Sequence, residues 1–124
     1  MTASTHLTRE SRGFVVRGEF AVPAKGDRPA STHHSWWYGP HRLMNGWGSL
    51  DYSVHVFPTR RAASDAVAER IGSSRSIDIF SVQEAVAVAI EEAKSRRETA
   101  VAEGRTTHAM SWTETIKQLR GLER

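Results

Sequence analysis

The stretch IDIFSVQEAVAVAI, residues 77–90, decides which kind of fold this chain can adopt. Its first four residues are mostly apolar and β-branched, which predicts a short edge strand. Ser81 and Glu84 then have the three-residue spacing of a capping box, which marks the start of a helix. Apolar side chains recur on one face of that helix, and Gly104 is placed to end it. A strand therefore leads directly into a helix, and both contribute to one core.

Two further helices flank this unit. On its N-terminal side, Pro58-Thr59 changes the apolar period from about 2 to about 3.6 residues, with Thr59 as the N-cap and Gly72 at the end. On its C-terminal side, Ser111 and Glu114 repeat the capping-box spacing. The apolar stripes of these two helices are Ala63, Val67 and Ile71 in the first, and Trp112, Ile116 and Leu119 in the second.

The N-terminal part of the chain begins with a polar segment, residues 1–12, which we expect to be a flexible arm. Alternating apolar residues then predict a strand from Phe14 to Val22, with a bulge at Gly18. Residues 24–35 contain glycine, proline and small polar residues without a period. We interpret them as a long loop, which is typical of a functional or a disordered segment.

A hairpin is predicted after this loop. Its first strand contains Trp36, Trp37 and Tyr38, and its second covers residues 50–57, where apolar and polar residues alternate. Asn45-Gly46 lies between them and provides two residues that tolerate a positive φ. We therefore expect an antiparallel pair of strands joined by a tight type I′ turn.

These signals predict a single α+β domain over residues 13–124. The element order is β-β-β-α-β-α-α, with a mainly antiparallel sheet of three or four strands packed against two to three helices. We expect the first two helices to cover the same face of the sheet. The predicted core residues are Phe14, Val16, Phe20, Leu50, Tyr52, Val54, Val56, Val67, Ile71, Ile79, Val82, Val86 and Ile90.

The composition excludes several classes of protein. A chain of 124 residues is the size of one domain, and the lack of cysteine excludes disulfides, thiolate zinc sites and cysteine nucleophiles. The longest apolar run has six residues, Ala85 to Ile90, against roughly 20 for a membrane span. The first residues have no hydrophobic signal region. We therefore expect a cytoplasmic protein with no membrane partner.

The charge balance is only mildly basic. Lysine and arginine number 17 against 14 aspartate and glutamate, so the formal net charge is +3. The cations are spread over both halves of the chain, whereas a duplex DNA binder concentrates them in a stripe that neutralises phosphates. The composition therefore does not favour a duplex DNA-binding protein.

The most unusual segment combines aromatic rings with cations. Trp, Tyr and Arg are the residues of interface hot spots, and the same rings stack on unpaired bases. The alternative is that alternate residues of this segment belong to the core of the hairpin. Because neighbours in a strand point to opposite faces, we expect Trp36 or Trp37 to lie near the surface. The predicted partner-binding residues are Trp36, Trp37, Tyr38, His41, Arg42 and Trp47.

A second candidate site is the start of the first helix. Arg60 and Arg61 lie in its first turn, where the helix dipole makes cations mildly unfavourable. Residues that break a local rule suggest a function, so we interpret the pair as an anion-binding site. The alternative is that both side chains extend into solvent.

Histidines suggest two weaker hypotheses. His33, His34 and His41 could together ligate zinc, but their spacing matches no established motif, and we expect no metal and no cofactor. Asp51, Ser53 and His55 share one face of the predicted strand. The acid and the imidazole would be about 13 Å apart, too far for a triad. His55 would then act alone as a general acid or base.

The favoured hypothesis is a small non-enzymatic binding, adaptor or inhibitor protein. It docks on a larger protein or nucleoprotein complex through the aromatic and arginine hairpin, as an accessory factor of a phage or mobile element would. The first alternative is a protein that binds single-stranded DNA or RNA with the same residues. The second alternative is a small histidine-dependent nuclease or hydrolase. The oligomeric state is left open.

Overall fold

The computed structural model describes residues 7–39, 47–50, 54–71 and 76–124. It contains a four-stranded antiparallel sheet and three helices, so the predicted α+β class and element order are confirmed. The strands lie in the order β3-β2-β1-β4. Their bounds are Phe14–Val22 for β1, Ser31–Trp37 for β2, Trp47–Gly48 for β3 and Ile77–Ser81 for β4. The helices are Arg60–Ala66 for α1, which continues as a π-helical turn Val67–Ile71, Val82–Ala102 for α2 and Thr106–Arg120 for α3.

The first hairpin joins β1 to β2, with Arg17 opposite Trp36 and Val22 opposite Ser31. Lys25 and Arg28 form a further bridge at the tip, where Gly26 has a φ of 61°. The prediction of a long loop over residues 24–35 is therefore wrong for its second half, which is strand β2. The exposed part of β2 consists of polar residues, so it has no apolar period, and backbone pairing with β1 holds it in place.

The second hairpin is partly as predicted. β2 and β3 are antiparallel, but Trp37 lies opposite Trp47, whereas a two-residue turn at Asn45-Gly46 would place Met44 there. The register of this pair therefore differs from the predicted one, and Asn45-Gly46 lies outside the described residues, so the turn itself stays a prediction. Leu50 and Val54 are buried but belong to no strand in the described part of the chain, so the long strand predicted over 50–57 is wrong there.

Both faces of the sheet are covered. α1 packs on one face with Val16, Trp37 and Phe57, and α2 and α3 pack on the other with Val15 and Trp36. Adjacent Val15 and Val16 are consequently both 0% exposed. The prediction that the first two helices share a face is wrong, and this error explains why Val15 is missing from the predicted core.

The predicted core is otherwise largely correct. The fully buried members are Val16, Leu50, Val54, Val82, Val86 and Ile90, and the half-buried members are Phe14, Phe20, Val56, Val67 and Ile79. Tyr52 and the side chain of Ile71 lie outside the description. Leu7, from the segment expected to be a flexible arm, is buried in the cluster under α2 and α3. Residues 1–6 are not described, so the arm and the domain boundary stay predictions.

The helix boundaries within the described residues follow their capping signals, with one exception, and the predicted end at Gly72 lies outside those residues. The Thr59 side chain accepts a hydrogen bond from the Ala62 backbone N–H, as predicted. α2 ends in a Schellman motif, in which Gly104 has a φ of 72° and the Arg105 N–H donates to the Ala100 carbonyl. This tight reversal starts α3 at Thr106, so the prediction of a start at Ser111 is wrong.

The capping box at the start of α2 is complete. The Ser81 hydroxyl accepts from the Glu84 N–H at 3.3 Å, and the Glu84 carboxylate accepts from the Ser81 N–H at 3.0 Å. The hydrogen bonds of Ser81 to the carboxylate, first from its backbone N–H and then from its side chain, lower the pKa of Glu84, and Arg60 makes a smaller contribution in the same direction. Because the pKa is lower in the folded state, the carboxylate stabilises the fold above its unfolded pKa, and this stabilisation is lost as the pH falls through the folded pKa.

We predict that Ser81→Ala lowers the free energy of unfolding by about 1 kcal/mol at neutral pH, because the N-cap hydrogen bond is lost. Glu84→Gln is expected to remove part of the loss of stability in acid. Urea unfolding between about pH 7 and about pH 3 measures both effects. Glu98→Gln, on an exposed position of the same helix, is the control. An unchanged pH dependence in Glu84→Gln would contradict the prediction.

Candidate functional site

The structure buries two of the three tryptophans of the predicted binding segment. Trp36 is 3% exposed beneath α2 and α3, and its ring lies 5.8 Å from that of Phe80. Trp37 is 6% exposed on the opposite face, in the cluster that contains Ala63 of α1. The expectation that one of the pair lies near the surface is wrong, because both faces of the sheet are covered.

Trp47 differs from them and is only half-buried. Its ring makes edge contacts with Trp37 at 5.2 Å and with Phe20 at 4.9 Å. It lies over Gly18, where a Cβ atom would come within 2.8 Å of the indole. The register of β1 is continuous at Gly18, so the predicted bulge is wrong and the glycine instead makes room for Trp47.

Of the remaining residues in the predicted binding segment, the structure describes Tyr38 only. Tyr38 is half-buried, and its hydroxyl donates a hydrogen bond to the Ser49 carbonyl. His41 and Arg42 lie outside the described residues. The structure therefore brings Trp47 and Phe20 together at the sheet surface, and it removes Trp36 and Trp37 from it.

The two arginines of the predicted anion site have different surroundings. Arg60 donates a hydrogen bond to the Ile79 carbonyl at 3.1 Å, and its guanidinium lies 5.0 Å from the centre of the Phe14 ring. Arg61 is exposed. Arg60 thus binds its own chain at the edge of β4, and anion binding by the pair stays a prediction.

A polar network crosses the face of the sheet under α2. Arg17 contacts Asp78 at 3.1 Å and Glu92 at 3.5 Å, and its side chain is 14% exposed. Glu92 also contacts His34 Nδ1 at 3.2 Å, and His34 Nε2 lies 3.8 Å from Glu19. The network joins four elements, of which β1 and β2 are distant in sequence from β4 and α2. The one local signal for it is the alternation of Arg17 and Glu19 with apolar residues along β1.

Arg96 of α2 has no carboxylate partner in the part of the chain that the structure describes. Glu92 lies four residues earlier but pairs with Arg17 and His34 instead. The Arg96 guanidinium lies 5.7 Å from the centre of the Trp112 ring, and its Nη2 is 3.3 Å from His33 Nδ1. A cation supported by an aromatic ring is therefore available beside β2.

A small cavity lies next to this cation, between β2, α2 and α3. Its volume is about 70 Å³, several times the 10–15 Å³ or so that one water molecule needs. The cavity is large enough for a small apolar side chain. It is lined by apolar and polar residues together, which are His34, Trp36, Ser49, Leu50, Ala89, Glu92, Ala93, Arg96, Trp112, Thr115 and Leu119.

The outer edge of β2 passes the mouth of this cavity. The Glu19 N–H donates to the Ser76 carbonyl at 3.0 Å, so the backbone groups of Glu19 face away from β2. Its partner His34 therefore directs its own N–H and C=O to the outer edge, and so does Thr32 two residues away. On this outer side β3 pairs with Trp36 and Trp37 only, and no described segment pairs there with Thr32 or His34, whose inner side is paired with β1.

The other histidine hypotheses receive little support. His33 and His34 contact different partners, His41 is not described, and the described ranges contain no group of three residues suited to hold a metal ion. The His55 ring is half-buried and packs 4.3 Å from the Phe57 ring. Asp51 and Ser53 lie outside the description, so a catalytic role of His55 stays a hypothesis.

Comparisons with protein families, characterised proteins and solved structures find no match to this chain. Within the described residues, no helix combines the length and the apolar character needed to cross a membrane.

Proposed function

We propose that this chain is a non-enzymatic cytoplasmic binding protein that docks on a larger protein. The docking surface is the β2 rim, which we define as Thr32 and His34 at the outer edge of β2 together with Trp47 on one side and Arg96 on the other. This proposal keeps the binding function expected from the aromatic segment. The proposed contact residue from that segment is now Trp47 alone, because Trp36 and Trp37 are buried.

The observation that carries the proposal is the half-buried ring of Trp47, which is packed against other aromatic rings on one side. Tryptophan is the residue most enriched in interface hot spots, and such residues are most effective when they are fixed before binding. Contacts with Phe20 and Trp37 and the close approach to Gly18 hold the indole in place. When a partner covers the indole, the Trp47 side chain therefore loses little conformational entropy.

A protein partner is favoured over single-stranded nucleic acid. A stacking platform for bases needs several exposed rings along a cationic groove. Trp36 and Trp37 are buried, which leaves one tryptophan of that segment for stacking. Salt dependence separates the two partners, because phosphate contacts make binding fall steeply with salt and protein interfaces depend on it far less.

We predict that Trp47→Ala reduces recovery of the partner by about 30-fold, the equivalent of a hot spot of about 2 kcal/mol. The tagged full-length protein is used for affinity purification from its host at low and physiological salt. Met110→Ala is the matched control, because Met110 is an apolar residue that is 68% exposed on α3, outside the β2 rim. Urea unfolding verifies that both variants fold. Equal recovery with Trp47→Ala would overturn the proposal.

A further inference from the structure

The structure also indicates how the partner binds, on the premise of the proposed function. We infer that an extended segment of the partner protein binds as an additional strand on the outer edge of β2, beside Thr32 and His34. The segment places an apolar side chain in the cavity between β2, α2 and α3 and an acidic side chain beside Arg96. This is β-strand addition, in which main-chain hydrogen bonds provide affinity and a side-chain pocket provides specificity.

The main-chain geometry of the β2 rim supports this mode. Thr32 and His34 direct two N–H and two C=O groups outward, at the spacing that an added strand would use. β3 runs along the same edge but ends at Gly48, opposite Trp36. In the described residues the pairing does not continue past Gly48, because Ser49 and Leu50 belong to no strand and Leu50 lies in a bend. An added strand would therefore continue the line of β3.

Apolar residues lie on both faces of the sheet beside the β2 edge, so they can contact the alternating side chains of an added strand. Successive residues of a strand point to opposite faces. On one face, the added residue beside His34 lies at the mouth of the cavity, whose walls include Trp36 and Leu50. On the other face, neighbouring side chains approach Trp47 and Phe20, which is directly opposite His33. Both faces of the added strand thus find apolar contacts.

Charge complementarity specifies the partner further. Arg96 lines the cavity and has no carboxylate partner in the described ranges, so an acidic residue of the partner would complete a charge-assisted pair. Its contact with His33 at 3.3 Å joins only side chains and leaves the backbone groups of β2 unused. Such exposed contacts are weak and are readily replaced.

The opposite edge of the sheet, strand β4, is protected by side chains that form hydrogen bonds with its outward backbone groups. Arg60 donates a hydrogen bond to the Ile79 carbonyl of β4, and the Glu84 carboxylate accepts one from the Ser81 N–H. Blocking exposed edge groups in this way prevents unwanted strand pairing. No described side chain forms a hydrogen bond with the outward backbone groups of Thr32 and His34, and the contact between Arg96 and His33, which joins the two faces across this edge, would open when a strand is added. The β2 edge is therefore the one suited to binding.

The experiment uses a phage library of random linear 12-residue peptides, selected on the full-length protein and followed by affinity measurements with one synthetic selected peptide. We expect enrichment of peptides with an apolar and an acidic residue. Binding is expected to slow amide hydrogen exchange at Thr32 and His34. Thr32→Pro removes an outward N–H and should weaken binding at least about tenfold. Ala21→Pro is the matched control, because Ala21 is the cross-strand partner of Thr32 and its N–H faces the opposite edge.

A second pair of variants tests the cavity. Thr115 lines it, and Thr115→Phe should fill it and weaken peptide binding at least about tenfold. Thr113→Phe is the matched control, because Thr113 is exposed on the same helix and its hydroxyl makes the same type of bond, to the Ala109 carbonyl. This control should leave the affinity within about twofold of the original value.

Several outcomes would overturn the inference: no enriched peptide, no protection of Thr32 and His34 in the original protein, or protection caused by pairing of two copies of the chain. The hydrogen-exchange measurement uses the original protein, so it tests strand addition even if Thr32→Pro fails to fold. If Trp47→Ala loses the partner while Thr32→Pro retains it, the proposed function stands and strand addition is wrong. If Trp47→Ala retains the partner and the peptide still protects the edge, the proposed function fails and strand addition stands.

Discussion

Trp36→Ala is expected to lower the free energy of unfolding by about 3–5 kcal/mol, because the substitution leaves a large cavity in a closely packed core. The Trp36 ring packs between the sheet and helices α2 and α3, in contact with Phe80 and within the main apolar cluster. A typical domain is stable by about 5–15 kcal/mol, so the loss is a large part of the total. Urea unfolding monitored by circular dichroism measures it.

Trp47→Ala is the comparison, since Trp47 is only half-buried and a smaller loss is expected. A loss for Trp36→Ala no greater than that for Trp47→Ala would contradict the placement of Trp36 in the core. The result also bears on the binding site, because Trp36 forms a wall of the cavity beside β2. A binding defect in Trp36→Ala would therefore follow from altered packing and would not identify Trp36 as a partner contact.

Gly13→Ala is expected to destabilise the fold by more than about 3 kcal/mol, from backbone strain and a steric overlap together. Gly13 has a φ of 121°, which side chains rarely allow, and an added Cβ would overlap the Phe57 carbonyl oxygen. That oxygen accepts the hydrogen bond from the Phe14 N–H at 2.8 Å, in the bridge between the start of β1 and the segment before α1. Thermal and urea unfolding measure the loss.

Gly104→Ala separates strain from overlap. Gly104 also has a positive φ, of 72°, but an added Cβ there meets no atom within 4 Å. The expected cost is about 1–2 kcal/mol, that of a left-handed conformation alone. If Gly13→Ala costs no more than Gly104→Ala, then the bridge between Phe14 and Phe57 can shift to accommodate a side chain, contrary to the prediction.

Local signals in the sequence predicted the elements that depend on nearby residues. The capping box at Ser81, the N-cap at Thr59 and the edge strand before α2 are confirmed, because each depends on contacts within a few residues. The strand over residues 31–35 was not predicted. Its polar, exposed sequence lacks a period, and its conformation depends on pairing with β1.

The candidate site was only partly predictable. The aromatic segment predicted Trp47 as a binding residue, and Trp47 belongs to the β2 rim. Arg96, the cavity and the outward groups of Thr32 and His34 could not be inferred, because they depend on how α2 packs across the sheet and on where β3 ends. Glu92 and Arg96 are four residues apart, a spacing at which helical side chains of opposite charge pair, but Arg17, from a strand distant in sequence, contacts that carboxylate instead.

The sequence by itself determined the α+β class, the order of the elements and the starts of α1 and α2, because helix caps and apolar periods act over a few residues. Only the tertiary structure decided which tryptophans are accessible. Alternation along a strand indicates which residues share a face, but it does not indicate how many faces are covered. With α1 on one side and α2 and α3 on the other, both Trp36 and Trp37 are buried, and Trp47 is only half-buried.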